Sequence, residues 1–294
     1  MALYENTADQ LIEFTLDSVL GDLWEGTATG GTNGTMADTS RYESDDFFQS
    51  LTPPARIYIR TTTDAAAPIG ESRESTDWVQ TGGTLTFLPV MTAVVGAGDT
   101  YAISSEYTWA EVKRAINLAI DDAARDMLIE KLDESTELVS SVYEYDVPTG
   151  FVYVYRVTME DGSGNYPSPI PPDQYRIVRG KPTPRLHLSR MRNEQQYQGH
   201  WYGELWASAD LTAARSLRIE GLARQPKLVL DTDLCYLNPV FVCYKAGELL
   251  HARRVRRSDN DPDEHQTQMV ICRNIAEGAR ALTKLPADSK RVEV

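Results

Sequence analysis

The chain has 294 residues, 41% hydrophobic and 24% charged, with a net charge of -14. That length supports about two domains with real cores, and the ordinary hydrophobic and charged shares exclude a disordered or fibrous chain. No apolar run approaches the roughly 18 residues of a membrane-spanning helix, and the start MALYENTADQ lacks the basic and apolar regions of a secretion signal.

Three cysteines (Cys235, Cys243, Cys272) form no CxxC pair, so reduced thiols, no disulfide and no cysteine-based metal site are expected. The acidity is concentrated, because residues 1–107 carry 4 Arg/Lys against 16 Asp/Glu. Such a surface repels phosphate, which argues against DNA binding by this part. It serves solubility, or makes a wall past which DNA slides without sticking.

Along the chain, residues 1–23 hold a helix over Thr7–Leu20, opened by a capping box of Thr7 with Gln10 and ended at Gly21. Residues 24–107 read as a β domain, with strands at Arg56–Arg60 and Thr84–Leu88 between Gly, Asn, Asp and Pro clusters. The opening GTATGGTNGT lacks the Gly-Lys-Ser/Thr and the following helix of a phosphate loop, and reads as turns and linker. Segment 108–135 is a long helix, running over 108–131. It is capped by Thr108 with Glu111, and Val112, Ala115, Ile116, Ala119, Ile120, Ala123 and Met127 form one apolar stripe.

Residues 136–231 return to β texture, with strands expected at Val152–Tyr155, Tyr175–Val178, Arg185–Leu188, Tyr202–Trp206 and Leu217–Ile219. A helical hairpin follows over 232–285. Its first helix starts at Asn238-Pro239 and its second at Asp261-Pro262, and residues 286–294 form a tail. The fold expected is α+β, a small helical bundle carrying two inserted antiparallel β domains.

Catalytic signatures are missing. The four histidines (His187, His200, His251, His265) form no HExxH and no i, i+4 pair, and there is no Gly-x-Ser-x-Gly elbow or Gly-x-Gly-x-x-Gly loop. Neighbouring carboxylates such as Asp45-Asp46 point in different directions and read as solvated faces. The expectation is therefore no enzyme, no metal and no cofactor.

Two features suit interaction instead. Alternation sets Tyr153 and Tyr155 on one strand face and the valines on the other, either as a subunit contact or as plain packing. The basic run Arg253, Arg254, Arg256 and Arg257 ends a helix. It can meet DNA, an acidic partner or the helix dipole, and a protein contact is the preferred functional option.

The order of pieces carries a resemblance. A Gly/Thr-rich stretch, then Asp45-Asp46-Phe47, then Gly98-Asp99-Thr100-Tyr101, precede a helix containing Ala115-Ile116-Asn117. The block CYLNPVFVCYKAGELLHARR comes later. This order resembles virion structural proteins of the head and neck modules of tailed bacteriophages, although members of that family are mainly helical. The resemblance implies a head-to-tail adaptor in the virion, made in the host bacterial cytoplasm. It implies a homo-oligomeric ring, commonly a dodecamer, below the portal protein and above a tail-side neck or tail-terminator protein. Genome DNA would pass nearby without sequence-specific binding, and no membrane is involved. The alternative is a tail-tip, baseplate or fibre component whose aromatic β domain holds a carbohydrate or receptor.

Overall fold

The structure, a computed structural model, describes residues 4–63, 68–139, 142–161, 163–167, 169–178, 183–188, 215–257, 262–283 and 292–293. It divides into two compact units, the first made of residues 1–123 and 226–283 and the second of residues 124–225 and 284–294.

The first unit is built on a seven-stranded sheet. Its strands are β1 (Trp24–Thr27), β2 (Gly30–Gly31), β3 (Thr35–Ala37), β4 (Arg56–Thr61), β5 (Ser72–Val79), β6 (Thr84–Leu88) and β7 (Thr100–Ser104). The order across the sheet is β1-β7-β4-β5-β6-β3-β2, and every pairing is antiparallel. One face buries Met36, Ile57, Ile59, Trp78, Leu85 and Phe87 around Phe48 of the short helix α2 (Phe47–Ser50). Burial of this much aromatic and aliphatic surface, at about 25 cal/mol per Å², gives the sheet a core of its own.

Helices complete the unit: α1 (Ala8–Phe14) running on into a π-helical turn (Thr15–Leu20), α3 (Trp109–Ala123), α4 (Pro239–Arg257) and α5 (Pro262–Thr283). The Thr7–Gln10 capping box is present in both directions, at 3.0 and 3.2 Å. The Thr108–Glu111 box is present likewise, at 3.3 and 3.2 Å. On α3, Val112, Ile116, Ala119, Ile120 and Ala123 are buried, as their three-and-four spacing requires. Asn238 Oδ1 accepts from Val240 N at 2.9 Å and starts α4 ahead of Pro239. Gly247 of α4 permits close approach to its neighbours, since a Cβ there would lie 2.6 Å from Val19 Cγ1 and 3.3 Å from Cys272 Sγ.

The second unit has two sheets. A four-stranded sheet is ordered β14-β10-β13-β8, from β8 (Ile129–Leu138), β10 (Phe151–Met159), β13 (Arg215–Ala223) and β14 (Val292–Glu293). A three-stranded sheet is ordered β9-β12-β11, from β9 (Glu144–Asp146), β11 (Tyr175–Val178) and β12 (Arg185–Leu188). They share a core of Phe151, Val154, Val157, Tyr175, Leu186 and Leu217 among others.

The expected helical bundle with inserted β domains is overturned. Among the described residues, four sheets, counting the short pairing of Asn6–Thr7 with Leu234–Cys235, stand against five helices and make the molecule mostly β, and the largest single element group is the seven-stranded sheet. The physical reason lies partly in the segment expected to be helical to residue 131. Its helix stops at Ala123, and Ile129–Leu138 becomes a strand paired along its length with Arg215–Ala223. Glu, Lys and Leu favour a helix locally, but a partner strand some eighty residues later satisfies the backbone of this segment through a ladder, and tertiary pairing overrides propensity. The strand expected at Tyr202–Trp206 lies outside the described residues.

Candidate functional site

The arginine run does not form one exposed patch. Arg253 pairs with Glu111 at 2.9 Å and stays half exposed. Arg254 turns inward: it donates to the backbone carbonyl of Glu106, lies 3.8 Å from the Glu106 carboxylate and places its guanidinium 5.1 Å from the centre of the Tyr107 ring. Arg256 and Arg257 end α4, and their side chains lie outside the described residues.

Tyr153 and Tyr155 lie half-buried on β10, whose regular alternation is broken by register shifts between Phe151 and Tyr153 and between Val154 and Arg156. The bulges send Val154 and Val157, three residues apart, into the same core.

What the sequence reading left scattered, the fold brings together. His251, six residues before the end of α4, and His265, three after the start of α5, meet with their Nδ1 atoms 3.2 Å apart. Tyr107 Oη lies 3.2 Å from the same His251 nitrogen, its ring edge-on at 6.0 Å. Asp22 fixes the loop that carries Tyr107. Its buried carboxylate accepts from the backbone N–H groups of Ser105, Glu106 and Tyr107 and from the Ser105 hydroxyl, at 2.8–2.9 Å. The signal available in sequence was the hairpin itself, which apposes residues placed on either side of its turn.

Hydrogen positions follow from the partners. The Glu106 carboxylate only accepts, so His265 donates its Nε2–H to Glu106 Oε1 at 3.2 Å. His251 Nδ1 lies 3.2 Å from both His265 Nδ1 and Tyr107 Oη, which leaves Nε2 as its other ring nitrogen. That atom is buried without a hydrogen-bond partner in the protein, on a side chain 6% exposed. Burial, and after it the neighbouring His265, pushes the His251 imidazole down to about 4, which keeps it neutral at pH 7.

Beside this cluster opens a cleft of about 670 Å³, bounded by residues 17–21 at the end of the π-helical turn and by Glu106, His251, Arg254, Glu264 and His265. Among the described residues its lining includes the carboxylates of Asp17, Glu106 and Glu264 and the guanidinium of Arg254. Among the described residues no three His, Cys, Asp or Glu side chains converge as metal ligands. The cysteines are free and buried, and burial raises their thiols to about 11 (Cys235, Cys272) and about 12 (Cys243), away from nucleophilic character at pH 7.

The outer side of α5 is the other unusual surface. Cys272, Ala276 and Ala279 are buried, while Val270, Ile271, Ile275 and Leu282 are exposed, Leu282 at 87%. At 100° per residue, Ile271, Asn274, Ile275, Gly278 and Leu282 fall on one side, which Glu264 shares in the first turn, and among the described residues nothing lies within 4 Å of where a Gly278 Cβ would be.

No protein-family model matches this chain, and no curated protein matches it.

Proposed function

We propose that the chain is a non-enzymatic structural protein of a tailed-bacteriophage virion, a head-to-tail adaptor that closes into a ring below the portal around the DNA channel. The observation that carries this reading is the open apolar stretch of α5 from Ile271 to Leu282. A 22-residue helix with one apolar side packed and a second one open is suited to a subunit contact, because exposed Ile and Leu in a row gain about 25 cal/mol per Å² when a neighbour covers them. A ring repeats one heterologous contact, and each copy then presents this side to a different surface of the next.

Two sequence features agree with that role. The order of motifs resembles that of neck-module proteins, and the acidic first third suits a wall beside DNA that repels phosphate and binds no particular sequence. The portal protein would sit on one side of the ring and a tail-side neck or tail-terminator protein on the other, at the head-tail interface of the virion. A dodecamer is the copy number that the resemblance implies.

The test is negative-stain electron microscopy with mass photometry on the purified protein, alone and mixed with the portal of the same phage. The expected result is a closed ring or a portal-dependent collar. A monomer that ignores the portal would overturn the reading.

A further inference from the structure

We propose that the outer edge of β10 is a strand-acceptor site, and that in the assembled protein its occupant is β14 of a neighbouring copy. The first unit has no such edge to fill. Its end strands β1 and β2 are joined by Ala28 and Thr29 alone, whose N–H groups donate to the Asp99 and Ala37 carbonyls, so the seven-stranded sheet curls until its two edges meet. On β10 of the second unit, the half at Val157 and Thr158 is covered from nearby in the chain. Ile170 N donates to the Val157 carbonyl at 2.7 Å, and Pro169 bridges to Thr158. The half at Tyr153 and Val154 is covered by β14 instead, with Tyr153 opposite Glu293 and Val154 opposite Val292 in an antiparallel ladder. This part of the edge therefore takes an extended segment by strand addition.

Two properties of β14 favour a neighbour as the donor. The first is its tether. The other described strands of the second unit lie in the unbroken stretch 124–225, whereas β14 is reached only after α5 of the first unit, through residues 284–291. A ladder of two residue pairs is too short to hold by itself, so the strand stays in place through the effective concentration its tether supplies, on the order of millimolar. The second is that donor strand and acceptor edge are different surfaces, which is the heterologous contact a ring repeats. Once α5 brings copies together, the neighbour's β14 offers the same backbone bonds as the chain's own. Exchange then loses no contact and gives each junction a second attachment, which strengthens the first. The exchange rests on the ring proposed above, and it sets the half-buried Tyr153 at a subunit boundary.

The test uses the full chain, with the portal present. Copies carrying Tyr153→Cys are co-expressed with copies carrying Glu293→Cys, and the assembled particles are treated with oxidised glutathione. Residues directly opposite in an antiparallel ladder have Cα atoms about 4.5–5.5 Å apart, within disulfide range, and here the two new cysteines lie on different chains. The native thiols are buried and raised to about 11 or about 12, so they take little part. The expected result is a band of doubled mass on non-reducing electrophoresis that neither variant gives when expressed alone. The double variant Tyr153→Cys/Glu293→Cys is expected to give a ladder of linked copies. Particles of full ring mass in which the double variant closes its disulfide only within single chains, or forms none, overturn the exchange and leave the ring standing. Monomers by mass photometry overturn the ring and the exchange with it. A photoreactive benzoylphenylalanine at position 153, similar in size to tyrosine, keeps the test decisive if Tyr153→Cys does not fold: cross-links to residues 292–293 of another copy support the exchange, and cross-links within one chain alone overturn it.

Discussion

Two polar clusters of the first unit meet the same problem, burial of charged and hydrogen-bonding groups, in opposite ways. Around Asp38 the ledger closes at its centre. Its carboxylate accepts from Tyr101 at 2.5 Å and from Ser40 N and Oγ at 2.9 and 2.5 Å, and Arg41 divides its donors among Tyr101, Glu43 and the Glu25 carbonyl. Only the peripheral Glu43 keeps a buried oxygen without a partner. Around His251 the ring nitrogen Nε2 is unmatched and an open cleft lies beside it. A matched network is accounted for by folding alone, whereas an unmatched group at a cleft wall points to something outside the chain. The two sides of α5 repeat the contrast in apolar form, Cys272 and Ala276 covered, Ile271 and Leu282 open.

The sharpest break of this comparison is at Gly26. A Cβ there would stand 2.6 Å from both Asp38 Oδ2 and Tyr101 Oη, so Gly26→Val is expected to cost at least about 3 kcal/mol or to prevent folding of the first unit, measured by urea denaturation. A tolerated valine would show that the Asp38 network is not a tight structural element.

Acid separates the clusters next. His251 binds its proton less tightly in the folded chain, about 4 against 6.5, so its contribution is complete above pH 6.5 and is lost as pH falls from there to about 4, on the order of 3 kcal/mol. At Asp38, burial opposes ionisation but is outweighed by hydrogen bonds from Ser40 and Tyr101, and the carboxyl lies below its ordinary 3.8. Its contribution is therefore present above 3.8 and lost only below. Denaturation midpoints taken from pH 7 to pH 3 are expected to fall in those two stages, with the first removed in His251→Gln. A flat profile down to pH 4 would contradict the buried, neutral assignment of His251.

The smallest effects divide the arginines. Arg254→Ala, which loses the Glu106 carbonyl and the Tyr107 ring, is expected to cost about 1–2 kcal/mol, and Arg253→Ala, which loses one exposed ion pair, less than about 1. Equal costs by thermal melting would mean that Arg254 is not part of the cleft wall.

The starts of elements were legible because capping is local. Thr7, Thr108 and Asn238 each reach only two or three residues along the chain. The end of α3 was not, since Ile129–Leu138 is decided by Arg215–Ala223 far along the chain. The dominance of the sheet was hidden for the same reason: β1 finds β7 across more than seventy residues, while the helices announce themselves through three-and-four spacing. The arginine run read as one basic feature because nothing local reveals that Arg254 meets Glu106. His251 and His265, unremarkable separately, became a pair only through the hairpin.

The central claim, that the open side of α5 is where one subunit meets the next, is tested most directly by mass photometry of Ile271→Glu/Ile275→Glu beside the unaltered protein, each with the portal present. Both side chains are already exposed, so the variant should keep its melting temperature within a few degrees while the ring or collar is lost. Assembly that proceeds unchanged with two glutamates on that face would contradict the claim.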